Sequence, residues 1–153
     1  MSHTKYIEIQ NYIKNKLSSL NDVYNNKLVK EVTLNQKKHS GYPSIEIILG
    51  GTENEVMNTF ENKRTWKLTA RIVAKLEKDD EENSQINISK IMGEIIDQLD
   101  LDPYLSKDEN PVGDVLNSHY SVPVKTPYQE REFGWAMIQD VEISIITDFD
   151  YKN

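Results

Sequence analysis

The stretch WKLTARIVAKLE, residues 66–77, constrains this chain more than any other. Every second residue is apolar: Trp66, Leu68, Ala70, Ile72, Ala74 and Leu76. Lys67, Thr69, Arg71, Val73, Lys75 and Glu77 alternate with them. A period of two defines a strand with one dry face and one charged face. Full burial of Trp66, Leu68, Ile72 and Leu76 contributes about 6–12 kcal/mol. Fixing twelve backbone units costs about 12–24 kcal/mol. The strand therefore requires a roof over its dry face. Twelve residues span about 40 Å, whereas a compact domain of this length is only ~38 Å across. Such a strand crosses the whole domain or leaves it.

Two amphipathic helices supply the roof. Residues 4–20 place Ile9, Tyr12, Ile13, Leu17 and Leu20 on one stripe, with Ser2 or Thr4 as N-cap. Residues 84–99 do the same with Ile88, Ile91, Met92, Ile95 and Leu99. Asn83 or Ser84 caps that helix, Glu81 and Glu82 suit its positive end, and Pro103 lies just past its end. Further strands are predicted at 27–34 and at 44–49, the second closed by Gly50 and Gly51. The polar segment 52–63 reads as a short helix or a late-ordering excursion. Residues 115–125 form a strand that Pro123 confines to an edge or a bulge. Residues 134–149 form the last strand, with Val141, Ile143 and Ile145 facing the core. Residues 126–134, TPYQEREFG, read as the hairpin loop before it. The order α-β-β-β-α-β-β predicts an α+β domain. Its sheet is mainly antiparallel, with long strands packed against two helices. The 153 residues fit a single domain, 1–153.

Charge narrows the function classes. With 18 basic and 25 acidic side chains the chain carries a formal −7, so the long-range term toward a nucleic-acid backbone is repulsive. There are 0 cysteines, which excludes disulfides and thiolate metal sites. No apolar run approaches the ~20 residues of a membrane-spanning helix, and the first residues do not resemble a secretory signal. His3, His39 and His119 are far apart and read as structural or surface residues. Asp97, Asp100 and Asp102 in DQLDLD are the one carboxylate cluster that could take calcium or magnesium, but EF-hand spacing and its glycine are missing. A solvated helix end is the better explanation of them. GGTENE lacks any phosphate-loop pattern. Trp66 reads as a core residue, and Trp135 as a packing residue or an interface anchor. No catalytic, cofactor-binding or metal-ligating residue is assigned.

The segments GYPSIEIIL, RTWKLTARIVAKLE, ISKIMGEIIDQLD and WAMIQDVEISIITDFD, in that order, resemble the tail terminator proteins of long-tailed bacteriophages and their tail-completion and neck relatives. The resemblance covers nearly the whole chain and is one of architecture. It implies a structural virion protein without catalysis or cofactor. The protein would form a ring, usually of six copies, at the head-proximal end of the tail. Its partners would be sibling copies, the tail tube protein and the head-tail connector or neck protein, with DNA passing through unbound. Six copies at −7 each would carry about −42, a bore that repels its passenger if acid faces inward. The protein would reside in the virion tail or neck, and in the host cytoplasm during assembly. On that reading residues 50–63, 103–114 and 127–134 would order only against a neighbour. Two other readings stand beside it. One is a small protein-binding module acting by strand addition. The other is a metal-dependent enzyme built on Asp97, Asp100 and Asp102.

Overall fold

The computed structural model describes residues 5–22, 24–34, 39, 41–56, 62–76, 81–124, 128–131 and 133–148. Among them it contains helix α1 (Lys5–Ser18), strands β1 (Glu31–Leu34), β2 (Ser44–Val56) and β3 (Asn62–Lys75), helix α2 (Glu81–Leu101), and strands β4 (Val115–Ser121), β5 (Gln129–Arg131) and β6 (Gly134–Asp148). The strands form one mixed sheet in the order β1-β2-β3-β6-β4, with β5 also paired to β6. Only β1 and β2 run parallel; every other pair is antiparallel. The α+β class read from the sequence is the class observed.

Both helices lie on the same face. Ile9, Tyr12, Ile13 and Leu17 of α1 and Ile88, Ile91, Ile95 and Leu99 of α2 share one buried cluster with Ile45 and Ile47 of β2, Trp66, Leu68, Ala70 and Ile72 of β3, and Val141, Ile143 and Ile145 of β6. The alternating dry face of β3 is thus roofed as its energetics require. The Trp66 indole N–H donates to Thr147 Oγ1 at 2.9 Å, which satisfies its one polar atom inside the core.

Three features depart from the sequence reading. First, Gly50 and Gly51 do not end β2. The ladder with β3 steps from Leu49↔Leu68 to Gly51↔Lys67, so Gly50 is an unpaired extra residue. Gly51 adopts φ 92°. This is a β-bulge. It absorbs one residue and lets the strand continue through Thr52, Glu53, Asn54 and Glu55 to Val56. Residues 52–56 and 62–63 are therefore strand, and the rest of the segment read as helix or excursion, 57–61, lies outside the described residues. Second, Val73 does not belong to a charged face. It is fully buried beside Ala136 and Ile138 under Tyr42 and Phe133, a small second core on the face away from the helices. Third, β4 stops at Ser121, two residues before Pro123, and β5 continues the pairing on the same side of β6. The short β5 falls within the segment read as loop. The strand read at 27–34 is likewise confined to Glu31–Leu34.

The segments expected to await a neighbour are held within the chain wherever they are described. Leu105 and Val112 are buried in the main core, and 50–56 and 62–63 lie in the β2–β3 ladder.

Candidate functional site

The carboxylates of DQLDLD diverge. Asp102 is buried at the end of α2, where Lys16 Nζ lies 3.1 Å from its Oδ2. Tyr12 Oη donates to the same oxygen. Asp102 Oδ1 accepts from the Ser106 amide at 2.9 Å and the Lys107 amide at 3.3 Å. Lys16 also pairs with Asp108 at 2.9 Å, and the Asp108 amide donates to Tyr12 Oη at 3.0 Å. Burial pushes the Asp102 carboxyl up, but the hydrogen bonds from Tyr12, Ser106 and Lys16 outweigh it and hold it below the usual carboxylate range. Burial and the hydrogen bond to Asp102 push the Tyr12 hydroxyl up to about 12. This assembly ties the 102–112 loop to α1.

Asp100 instead accepts from Tyr120 Oη at 3.4 Å. Asp97 lines a groove of about 300 Å³ with Asp22, Tyr24 and Gly93. No group of three or more His, Asp or Glu side chains converges on a metal-sized position among the described residues. The three carboxylates of the metal reading are thus not brought together: Asp102 accepts from protein donors at both oxygens, while Asp100 and Asp97 have other surroundings.

A second polar network lies on the face away from the helices. In register across the sheet stand Glu46 of β2, Arg71 of β3 and Asp140 of β6. Arg71 grips Asp140 with Nε–Oδ1 2.8 Å and Nη2–Oδ2 3.1 Å, which raises the guanidinium above its ordinary value. Arg131 of β5 reaches back to Glu46 in the same forked manner, at 2.7 and 3.0 Å. His39, whose side chain is fully buried, donates from Nε2 to Glu46 Oε2 at 2.8 Å and holds Nδ1 3.5 Å from Glu31. Burial pushes the Glu46 carboxyl up, yet the Arg131 and His39 hydrogen bonds hold it below the usual range. Lys75 stands over the Tyr42 and Phe133 rings at 5.5 and 5.1 Å. This network anchors β5, His39 and Tyr42 onto the sheet. The network as a whole is not visible in the sequence, because Glu46, which His39 meets, is joined to Arg131 across 85 residues. The available signal was Glu46 itself, a charge inside the apolar run SIEIIL.

The remaining distinctive surface is the sheet's perimeter. β1 covers β2 only from Ser44 to Ile47, so residues 48–56 present an edge without a strand partner among the described residues. Beyond the bulge the alternation is shifted by one. Thr52 now pairs with Trp66, while Glu53 and Glu55 share the outer face with Lys67, Thr65 and Lys63. Glu53 Oε1 meets Lys67 Nζ at 2.7 Å, and Arg64 Nε donates to Asn54 Oδ1 at 2.6 Å while its guanidinium lies 5.4 Å over the Trp66 ring. These cross-strand pairs support a ribbon that α1 and α2 do not cover. Tyr6 of α1 closes the roof at the bulge: its hydroxyl accepts from the Gly51 amide at 3.1 Å and donates toward the Lys67 carbonyl. On the opposite side of the sheet β4 forms the other edge. Its surroundings expose Leu116, Val122, Val124, Tyr128 and Trp135.

Fold and perimeter together define the class: a two-layer α+β domain, helices on one face of a mixed sheet, with long strands and two edges left open among the described residues. No protein-family model and no curated protein sequence matches the chain. No helix among the described residues is long and apolar enough to cross a membrane.

Proposed function

We propose that this chain is a ring-forming structural protein of the phage tail terminator type, capping the tail tube and joining it to the head connector. One observation carries the reading: the strands are long for a chain of this size, and one of them, β2, keeps an exposed end with no outer strand partner among the described residues. β2, β3 and β6 have 13, 14 and 15 residues, hence lengths of about 43, 46 and 50 Å, against a compact diameter of ~38 Å. The helix-side faces of β3 and β6 stay buried or half-buried to their ends, whereas residues 51–55 of β2 are exposed and form a polar ribbon with an open edge. Open edges are normally short, charged or covered, because they template pairing with another chain. A chain that retains two of them on opposite sides of one sheet suits a heterologous contact, and such a contact closes into a ring when its rotation permits. The formal charge of −7 supports a conduit that does not retain nucleic acid. The resemblance of element order supplies the virion setting, the six-fold number and the tail and neck partners.

Electron microscopy of the purified full chain tests this reading. It predicts annular particles with a central hole. Compact single-copy particles at every concentration would contradict it. Binding to a foreign strand with no self-assembly would instead support the strand-addition reading, which draws on the same edge of β2.

A further inference from the structure

The geometry points to a specific mating pair: the β4 edge of one copy adds to the β2 edge of the next, beyond the β1 footprint. The inference rests on the ring reading and adds which surfaces meet.

Direction is the first argument. β2 is antiparallel to β3, β3 to β6, and β6 to β4. β4 therefore runs opposite to β2 within one sheet. When copies repeat head to tail with their sheets in one orientation, β4 of the neighbour meets β2 in antiparallel sense, the pattern that covers most of this sheet and the more stable per residue.

Charge is the second. Residues 115–124, VLNSHYSVPV, contain no Lys, Arg, Asp or Glu, in a chain that is 28% charged. An edge without the usual charged guards is fit for pairing. Asn117, His119 and Ser121 share the outer face with Ser144 and Glu142 of β6; Ser121 donates to Glu142 at 3.3 Å, and Asn117 and His119 can donate outward. The open part of β2 carries Glu53 and Glu55 on that same outer face, two acceptors exposed to solvent. Donors on one edge thus meet acceptors on the other.

Two-fold alternatives fit less well. Pairing β2 with β2 sets Glu53 and Glu55 opposite or beside their own copies, which is destabilising. Pairing β4 with β4 leaves both β2 edges unfilled. Only the head-to-tail contact fills both kinds of edge, and it does so in every copy once the ring closes.

The absence of cysteine permits a clean test. Glu53→Cys and His119→Cys are made as separate full-length variants, mixed, and treated with a short bismaleimide. The expected product is a 53–119 cross-linked dimer in the mixture. In the doubly substituted chain a ladder ending at the ring number is expected. Hydrogen exchange on the unsubstituted protein gives an independent readout: amides in 51–55 and in 115–121 both gain protection as concentration rises. Oligomers that lack both the 53–119 product and this paired protection overturn the edge assignment and leave the ring reading standing. A 119–119 product from the single variant overturns it in favour of a two-fold contact. A chain that stays monomeric throughout overturns both.

Discussion

Lys16 is the residue on which the helix roof and the long loop jointly depend. Its ammonium is 4% exposed and lies between Asp102 and Asp108, while Tyr12 occupies the remaining side of Asp102. A buried ion pair adds little net stability over an apolar replacement, but removing one partner strands the other. Lys16→Ala is expected to cost about 3–5 kcal/mol, read as a lower urea midpoint with an unchanged slope. Asp102 and Glu46 both titrate below their ordinary range when folded. Their contribution is complete above the unfolded carboxylate pKa and is lost as pH falls through the lower folded values. A urea midpoint measured from pH 6 to pH 3 is expected to fall, and to fall less steeply in Asp102→Asn. At the alkaline end the sign reverses. Tyr12 has its folded pKa raised from 10.0 to about 12, so the stability it holds below pH ~10 drains between there and pH ~12. Tyr12→Phe removes that alkaline loss while weakening the protein at neutral pH.

At the scale of the element, the bulge in β2 decides what the ribbon is. Gly50 takes up one register position, and this moves Glu53 and Glu55 off the helix side, where they would face Trp66, onto the outer side opposite lysines. Gly51 can sit at φ 92° because it lacks a side chain. Gly51→Val is expected to cost about 1–2 kcal/mol from left-handed strain. Deleting Gly50 is expected to keep both glutamates outside, because Leu49 opposite Leu68 would then be followed directly by Gly51 opposite Lys67 in unbroken alternation. Hydrogen exchange across 51–56 and 62–67 would check both, with protection reduced in the first and retained in the second. The bulge also explains the main misreading of the sequence. Paired glycines usually mark a strand's end. Here they interrupt a ladder that resumes with residues of weak apolar pattern, and periodicity cannot see strands held by Glu53–Lys67 or Asn54–Arg64 pairs. By contrast, α1, α2, β3 and the inward face of β6 were legible, because each buries a regular apolar stripe against the same core. The polar networks were not legible. Asp102 with Lys16, and Glu46 with Arg131 and His39, are joined by the fold across 85 or more residues in two of the three cases, and no local pattern encodes such a meeting.

The whole molecule has the proportions of a part. Its sheet is covered on the helix side along β3 and β6 but leaves the end of β2 exposed, and its two edges differ in chemistry, one acidic and one uncharged. An isolated protein of this build would carry an aggregation hazard on β4. A closed assembly removes the hazard by consuming both edges. The most direct measurement is native mass spectrometry of the full chain over a broad range of concentrations. The account predicts one dominant closed oligomer, six copies on the tail terminator reading, with few species between it and the monomer. A spectrum holding only the 17.8 kDa chain at every concentration would contradict it.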